Sequence, residues 1–217
     1  MRQTWLVPAL SCSRACAVAI EVAIIVTDSP PLITLAVAQS LDYLLYPALQ
    51  IIIPDAVFHE ATFSAGKLGA GEILDWYRAH KDQVRVEPTD IFSEEMVLRE
   101  SMPGRRPARD VGERAAIEII RNYPLADDAR ALLLSDDRDA SRLLVFEPEK
   151  TILLTTWDYL RQLEAGRRIQ SADAVIERVR QAGRNPPRRD LWSDHDPEVR
   201  EAVRAVIERA HRGETPE

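Results

Sequence analysis

Five acidic residues stand at or near places where an apolar run gives way to a helical pattern. Asp28 follows "AIEVAIIVT", Glu60 and Glu113 fall in helical segments, and Asp136 and Asp137 follow "LLLS". Adjacent carboxylates raise each other's pKa and cost free energy unless something positive sits between them. Three or four of them in one pocket need a divalent cation, and hard oxygen ligands suit Mg²⁺ or Mn²⁺. Such an ion, held by a few carboxylates, keeps positions open for water and phosphate oxygens, which suits in-line hydrolysis of a phosphodiester. Each acid also has a plainer reading. Asp28, Asp136 and Asp139 are placed to cap the helices after them, and Asp110 with Glu113 has the spacing of a capping box. Glu60 lies more than one turn past the cap candidate Asp55, among Val57, Phe58 and Ala61, so its plain alternative is an exposed helix-surface glutamate.

Whether the acids can meet depends on the elements that carry them. Residues 19–27 are short, β-branched and nearly continuous in hydrophobicity, the pattern of a strand buried on both faces. "DSPP" then breaks the strand, and Leu32, Leu35 and Ala36 follow at helical spacing, with proline tolerated in a first helical turn. The alternation recurs: strands at 50–53, 84–86, 131–135 and 151–155, and helices from Asp55, near 72–79, from Asp110 and from Trp157. "SMPGRRPAR" (101–109) reads as a loop. Beyond Gly166 the pattern is helical, at 171–182 and from about Pro197 to Ala210. The reading is therefore an α/β fold with a central parallel sheet between helical layers, plus C-terminal helices. Ligands of such sheets bind outside the carboxyl ends of the strands, and Asp28 and the Asp136/Asp137 pair directly follow strands. The expected division is an N-terminal extension (1–17), an α/β domain (18–165) and a C-terminal helical extension (166–217).

Composition narrows the partners. At 217 residues and 46 % hydrophobic content the chain can bury one full core. A net charge of −7 argues against binding nucleic acid through overall positive charge, which leaves local basic stretches or bound cations. Arg105, Arg106 and Arg109 form one such stretch before Glu113 and could meet phosphates. Arg161, Arg167, Arg168, Arg178, Arg180, Arg184, Arg188 and Arg189 form another, whose plain reading is solvated helix faces. Two cysteines, Cys12 and Cys16, without zinc-finger spacing suggest a reducing compartment. The apolar stretch Trp5–Leu10 is short and interrupted by Arg14, unlike a secretory leader, and no run reaches the roughly 18 residues of a membrane span.

In order along the chain, "VTDSPPLITLA", "IIIPDAVFHEAT", "DVGERAAIEI" and "LLLSDDRDASRL" resemble the motifs of PIN-domain proteins, closest to a branch similar to VapC-like toxins. The resemblance covers about residues 20–165 and implies a three-layer α/β/α fold with an Mg²⁺- or Mn²⁺-dependent ribonuclease centre. Carried over residue by residue, it makes Asp28, Glu60, Glu113 and Asp137 catalytic and assigns metal contacts to Asp28, Glu113 and Asp136 or Asp137. Ser29 matches a small hydroxyl residue that orients the first acid, and Asp110 matches an acid that stands behind the ligands or only caps its helix. Implied partners are an RNA substrate, an antitoxin protein and a second copy of the chain, in the cytoplasm. Pro30 departs from the branch, where serine is commoner, as does Arg109, where an apolar residue precedes the third motif. A PIN scaffold used only for binding or assembly is the alternative, and the filled acid positions argue against it. An aspartyl-nucleophile phosphotransfer site is disfavoured because Ser-Pro-Pro, with no second aspartate, follows Asp28.

Overall fold

Runs of β-branched and leucine residues that lack a polar face favour strands covered on both sides. Five form among the described residues: β1 (Glu21–Thr27), β2 (Gln50–Pro54), β3 (Val84–Glu87), β4 (Ala129–Leu134) and β5 (Thr151–Leu154). All pair in parallel, in the order β3-β2-β1-β4-β5. This computed structural model describes residues 20–64, 66–137, 149–187 and 197–211. The N-terminal extension with Cys12 and Cys16, Asp139, the helical pattern of Ala140, Leu143 and Leu144, and Arg188 and Arg189 lie outside the described residues.

The helices of the described residues are α1 (Ser29–Val37), α2 (Asp55–Thr62), α3 (Ala70–Ala79), α4 (Asp90–Ser101), α5 (Val111–Asn122), α6 (Thr156–Ala165), α7 (Ala172–Gln181) and α8 (Pro197–His211), with a 3₁₀ turn at Leu41–Leu45. Alternation along the strands feeds two cores. Ile24, Val26, Ile52, Leu133 and Leu153 meet Ala116, Ile117 and Ile120 of α5 on one face. Ile25, Ile51, Ile53, Leu132, Leu134 and Ile152 meet Leu35, Ile73, Leu160, Val179 and Ile207 on the other. The expected three-layer α/β/α arrangement is therefore present. A register shift between Val22 and Ile24 breaks the period of two, which lets Val22 and Ile25 serve the same core.

The helices past Gly166 close on this body. Val203, Val206 and Ile207 of α8 are buried in the same core as the sheet, and Val199 packs against it, so the apolar stripe of α8 is spent within the chain. Arg168 donates to Tyr46 O at 3.1 Å, Arg178 to Ala38 O at 2.9 Å and Arg184 to Thr34 Oγ1 at 3.3 Å. Three cations of the C-terminal basic stretch thus tie helices together, where the sequence suggested solvated faces. Among the described residues, no helix is long and apolar enough to cross a membrane.

Helix α4 has no counterpart in the sequence reading, for a physical reason. Its one buried residue is Glu95, while Val97 and Met102 next to its end stay exposed, so it carries no apolar stripe. Charge holds it instead: Glu95 accepts from Arg99 Nε and Arg105 at 2.9 Å each and from the Ala108 N–H at 3.2 Å. Its N-terminus is met by Glu118 of α5, which accepts from the N–H groups of Asp90 and Ile91.

The chain runs from β1 outward to β2 and β3, then returns to the opposite side of β1 as β4. That reversal opens a crevice at the carboxyl ends of β1 and β4, where a parallel sheet binds ligands. If α8 is part of the core, Ile207→Ala costs about 2–5 kcal/mol of unfolding free energy. The exposed Glu208→Ala changes it by less than about 0.5 kcal/mol, both read by urea denaturation.

Candidate active site

The ends of β1 and β4 lie side by side. Thr27 pairs with Leu134, and the Asp28 N–H donates to Leu134 O at 2.9 Å, which brings Asp28 next to Ser135. Asp28 is the N-cap of α1, and its Oδ1 accepts from the Ser29 N–H at 2.7 Å. Pro30 and Pro31 fill the following positions and bring no N–H, so Ser29 is the amide that serves the carboxylate there. Asp28 Oδ2 accepts from the Ser135 hydroxyl at 3.2 Å, and Ser135 Oγ in turn accepts from the Asp137 N–H at 3.2 Å. One buried hydroxyl thus bridges the first and last acids.

These groups open into a cavity of about 520 Å³ whose walls include Asp28, Glu60, Asp110, Glu113 and Asp137. Close approach of α5 depends on Gly112. A Cβ there would sit 3.1 Å from Asp28 Oδ1, 3.2 Å from Val57 Cγ2 and 3.9 Å from Glu60 Oε2. Glycine therefore lets α5 bring Glu113 up to the sheet without displacing Asp28. The same cavity is also lined by Lys67, Arg99, His59, Phe63 and Phe92.

Burial pushes the Asp28 carboxyl up to about 8, and the charges of Glu113 and Glu60 push in the same direction against the hydrogen bonds from Ser29 and Ser135. Among the described residues, the strongest influences on it are burial, these two carboxylates and the two serines. Glu113, half-buried, is raised first by desolvation and then by Asp137, Asp110 and Glu60. Burial lowers His59, and Arg99 and Lys67 add to that. Five carboxylates, Asp28, Glu60, Asp110, Glu113 and Asp137, thus raise one another's charge cost in a cavity that Lys67 and Arg99 also line.

The sequence-expected residues divide. Asp28, Ser29, Glu60, Asp110, Glu113 and Asp137 all line the cavity. Asp136 does not: its Oδ1 accepts from the Thr156 N–H and its Oδ2 from the Thr156 hydroxyl, both at 2.8 Å. The metal contact expected of Asp136 is therefore corrected, because both oxygens bind the start of α6. The expected capping box is also absent. Asp110 stands in the left-handed region (φ 57°) and its side chain makes no cap bond, which leaves Asp110 and Glu113 facing the cavity. Arg105, Arg106 and Arg109 do not line the cavity, and Arg105 is engaged by Glu95. The two arginines on Glu95 hold its carboxyl down at about 2, with the contact from Arg105 the larger influence.

Sequence reasoning missed Ser135, Gly112, Lys67 and Arg99. Ser135 left a faint signal as the polar residue that closes an apolar run, but its partner lies 107 positions away. Among the described residues, no three His, Cys, Asp or Glu side chains stand close enough to hold a metal ion outright. An ion that keeps several waters does not require them all in direct contact. The donor set, all hard oxygens around one buried carboxylate, fits Mg²⁺ or Mn²⁺.

A family model described as a PIN domain matches residues 24–184. No curated protein and no solved structure matches the chain.

The raised Asp28 fixes the sign of a pH effect. The folded state holds a proton that the unfolded chain releases near pH 4, so stability is full below that pH and is lost as pH rises toward about 8. Asp28→Asn removes the ionisation and keeps an acceptor for Ser29. In metal-free buffer the melting temperature of Asp28→Asn should exceed that of the parent at pH 8 by several degrees, the gap closing near pH 4.

Proposed function

Because the chain belongs to the PIN-domain family, a family of nuclease-type domains, we propose that it is a divalent-cation-dependent endoribonuclease that hydrolyses RNA phosphodiester bonds. The observation that carries this reading is the cavity shared by Glu60, Glu113, Asp137 and the buried Asp28. Carboxylates raised by burial and by one another mark functional sites, whereas structural acids such as Glu95 are lowered by their partners.

Asp28, Glu113 and Asp137 would hold Mg²⁺ or Mn²⁺. Bound there, such an ion would supply Lewis acidity for the water and the phosphodiester. Ser29 and Ser135 fix the Asp28 carboxylate by one hydrogen bond to each oxygen, so it meets the cation without reorganising. Glu60, exposed at the mouth, accepts the proton of the attacking water. Asp110 adds negative charge behind Glu113 and strengthens its hold on a cation. Arg106 and Arg109, exposed in the loop before α5, steady the RNA backbone, with Arg105 anchoring that loop to Glu95. The resemblance of the four motifs to VapC-like proteins supports a cytoplasmic toxin, restrained by an antitoxin protein and acting as a homodimer.

Purified protein with Mn²⁺ should cleave total RNA, and Asp28→Asn should reduce the rate at least about a hundredfold and relieve growth arrest on overexpression. Parent-like cleavage by Asp28→Asn removes the assignment. Cation binding must displace the Asp28 proton, so the thermal shift produced by Mn²⁺ should be larger at pH 8 than at pH 6. A shift independent of pH excludes Asp28 as a ligand.

A further inference from the structure

The cavity that holds the acids has a feature that hydrolysis alone does not require. Phe63 lines it yet is 76 % exposed, the most exposed large hydrophobic side chain among the described residues. Its ring stacks on His59 with centroids 4.4 Å apart and planes 28° from parallel. Phe92 also meets His59, with centroids 5.1 Å apart. The backbone is fixed too, since the Phe63 N–H donates to His59 O at 2.8 Å and closes α2. An aromatic ring held rigid and left open beside a polar cavity is suited to take a second flat group on its outer face.

Cations flank this ring. Lys67 Nζ donates to Glu60 O at 2.6 Å, which ties it between the Phe63 loop and the acids. Arg99 has its Nε–H held by the buried Glu95 at 2.9 Å, so its guanidinium reaches the cavity already oriented. A phosphate chain next to these carboxylates needs compensating positive charge, and these two residues supply it within the same cavity. Aromatic rings between cations accept bases of any sequence, but only bases that are free of a duplex stack.

Resting on the reading of this cavity as a nuclease centre, we propose that Phe63, backed by His59, is a base-stacking platform that admits single-stranded RNA, with Lys67 and Arg99 holding the phosphates beside the stacked base. The platform selects an unpaired nucleotide next to the bond presented to the acids. It makes Phe63 a determinant of substrate class rather than of catalysis.

The test is fluorescence anisotropy of a short labelled oligoadenylate, free and annealed to its complement, on the full-length chain carrying Asp28→Asn in Mn²⁺. Adding Phe63→Ala should weaken single-strand binding about tenfold, Phe63→Tyr should retain it, and duplex binding should be weak and insensitive to both. Unchanged melting temperatures will show that the exposed position does not affect folding. Equal losses for strand and duplex, no loss with Phe63→Ala, or no affinity for the single strand in the parent would each overturn the platform. So would unchanged RNA affinity accompanied by loss of self-association, which assigns the ring to a protein contact. Cleavage by the unmodified enzyme separates the two readings. An inert enzyme whose strand affinity depends on Phe63 loses the nuclease reading and keeps the platform, whereas an active enzyme indifferent to Phe63 does the reverse.

Discussion

The parallel register between β1 and β4 is the constraint on which the site depends. Pairing of Thr27 with Leu134 sets Asp28 against Ser135, and through that hydroxyl against Asp137. A slip of one residue would turn every side chain to the opposite face. Here both faces are buried, with Ile24 and Val26 committed to α5 and Ile25 to the larger core, so the register is enforced by packing on two sides. The apolar cores thereby hold together charges that would otherwise separate.

Those charges oppose the fold that holds them. Asp28 is driven up by burial and by neighbouring carboxylates, and Glu113 follows for the same reasons. Glu95 shows the contrary case a short distance along the chain, a carboxylate pulled down by two arginines and a backbone N–H. Asp28 and Glu95 are both buried and both hydrogen-bonded, but Glu95 is paired with two arginines while Asp28 is bonded by two serines. Stability gained at Glu95 helps to fix the loop that leads into α5, and α5 carries Glu113 into the cavity. The paired acid thus supports the position of the raised ones.

Much of this was legible in the sequence because apolar burial writes itself locally. The five strands fall within a few residues of their expected places, and the three-layer order follows from strands alternating with helices. The four acids Asp28, Glu60, Glu113 and Asp137 were legible from motif order, and their common cavity from the strand-end rule. What was not legible depends on distant partners. Asp136 and Asp137 are indistinguishable until Thr156, 20 residues on, claims both oxygens of the first. Helix α4 lacks an apolar stripe because ion pairs hold it, and pattern reading sees only the stripe. Asp110 has the right spacing for a capping box, but its left-handed backbone carries the side chain away from that role.

The lining of the cavity is consequently held by different physics. Asp28, Asp137 and Glu113 hang on strand register and on the Gly112 approach of α5, where any shift would disturb two cores. Phe63, Lys67 and Arg99 hang on the end of α2, which also carries Glu60, and on α4, which are joined to the body through Asp55, Glu95 and Glu118. Phe63 is exposed and outside both cores, so substituting its ring leaves untouched the packing that places Asp28, Glu113 and Asp137. On the proposed reading, the tightly packed strands hold the chemistry, while the end of α2 and a helix that buries no apolar side chain hold what it acts on.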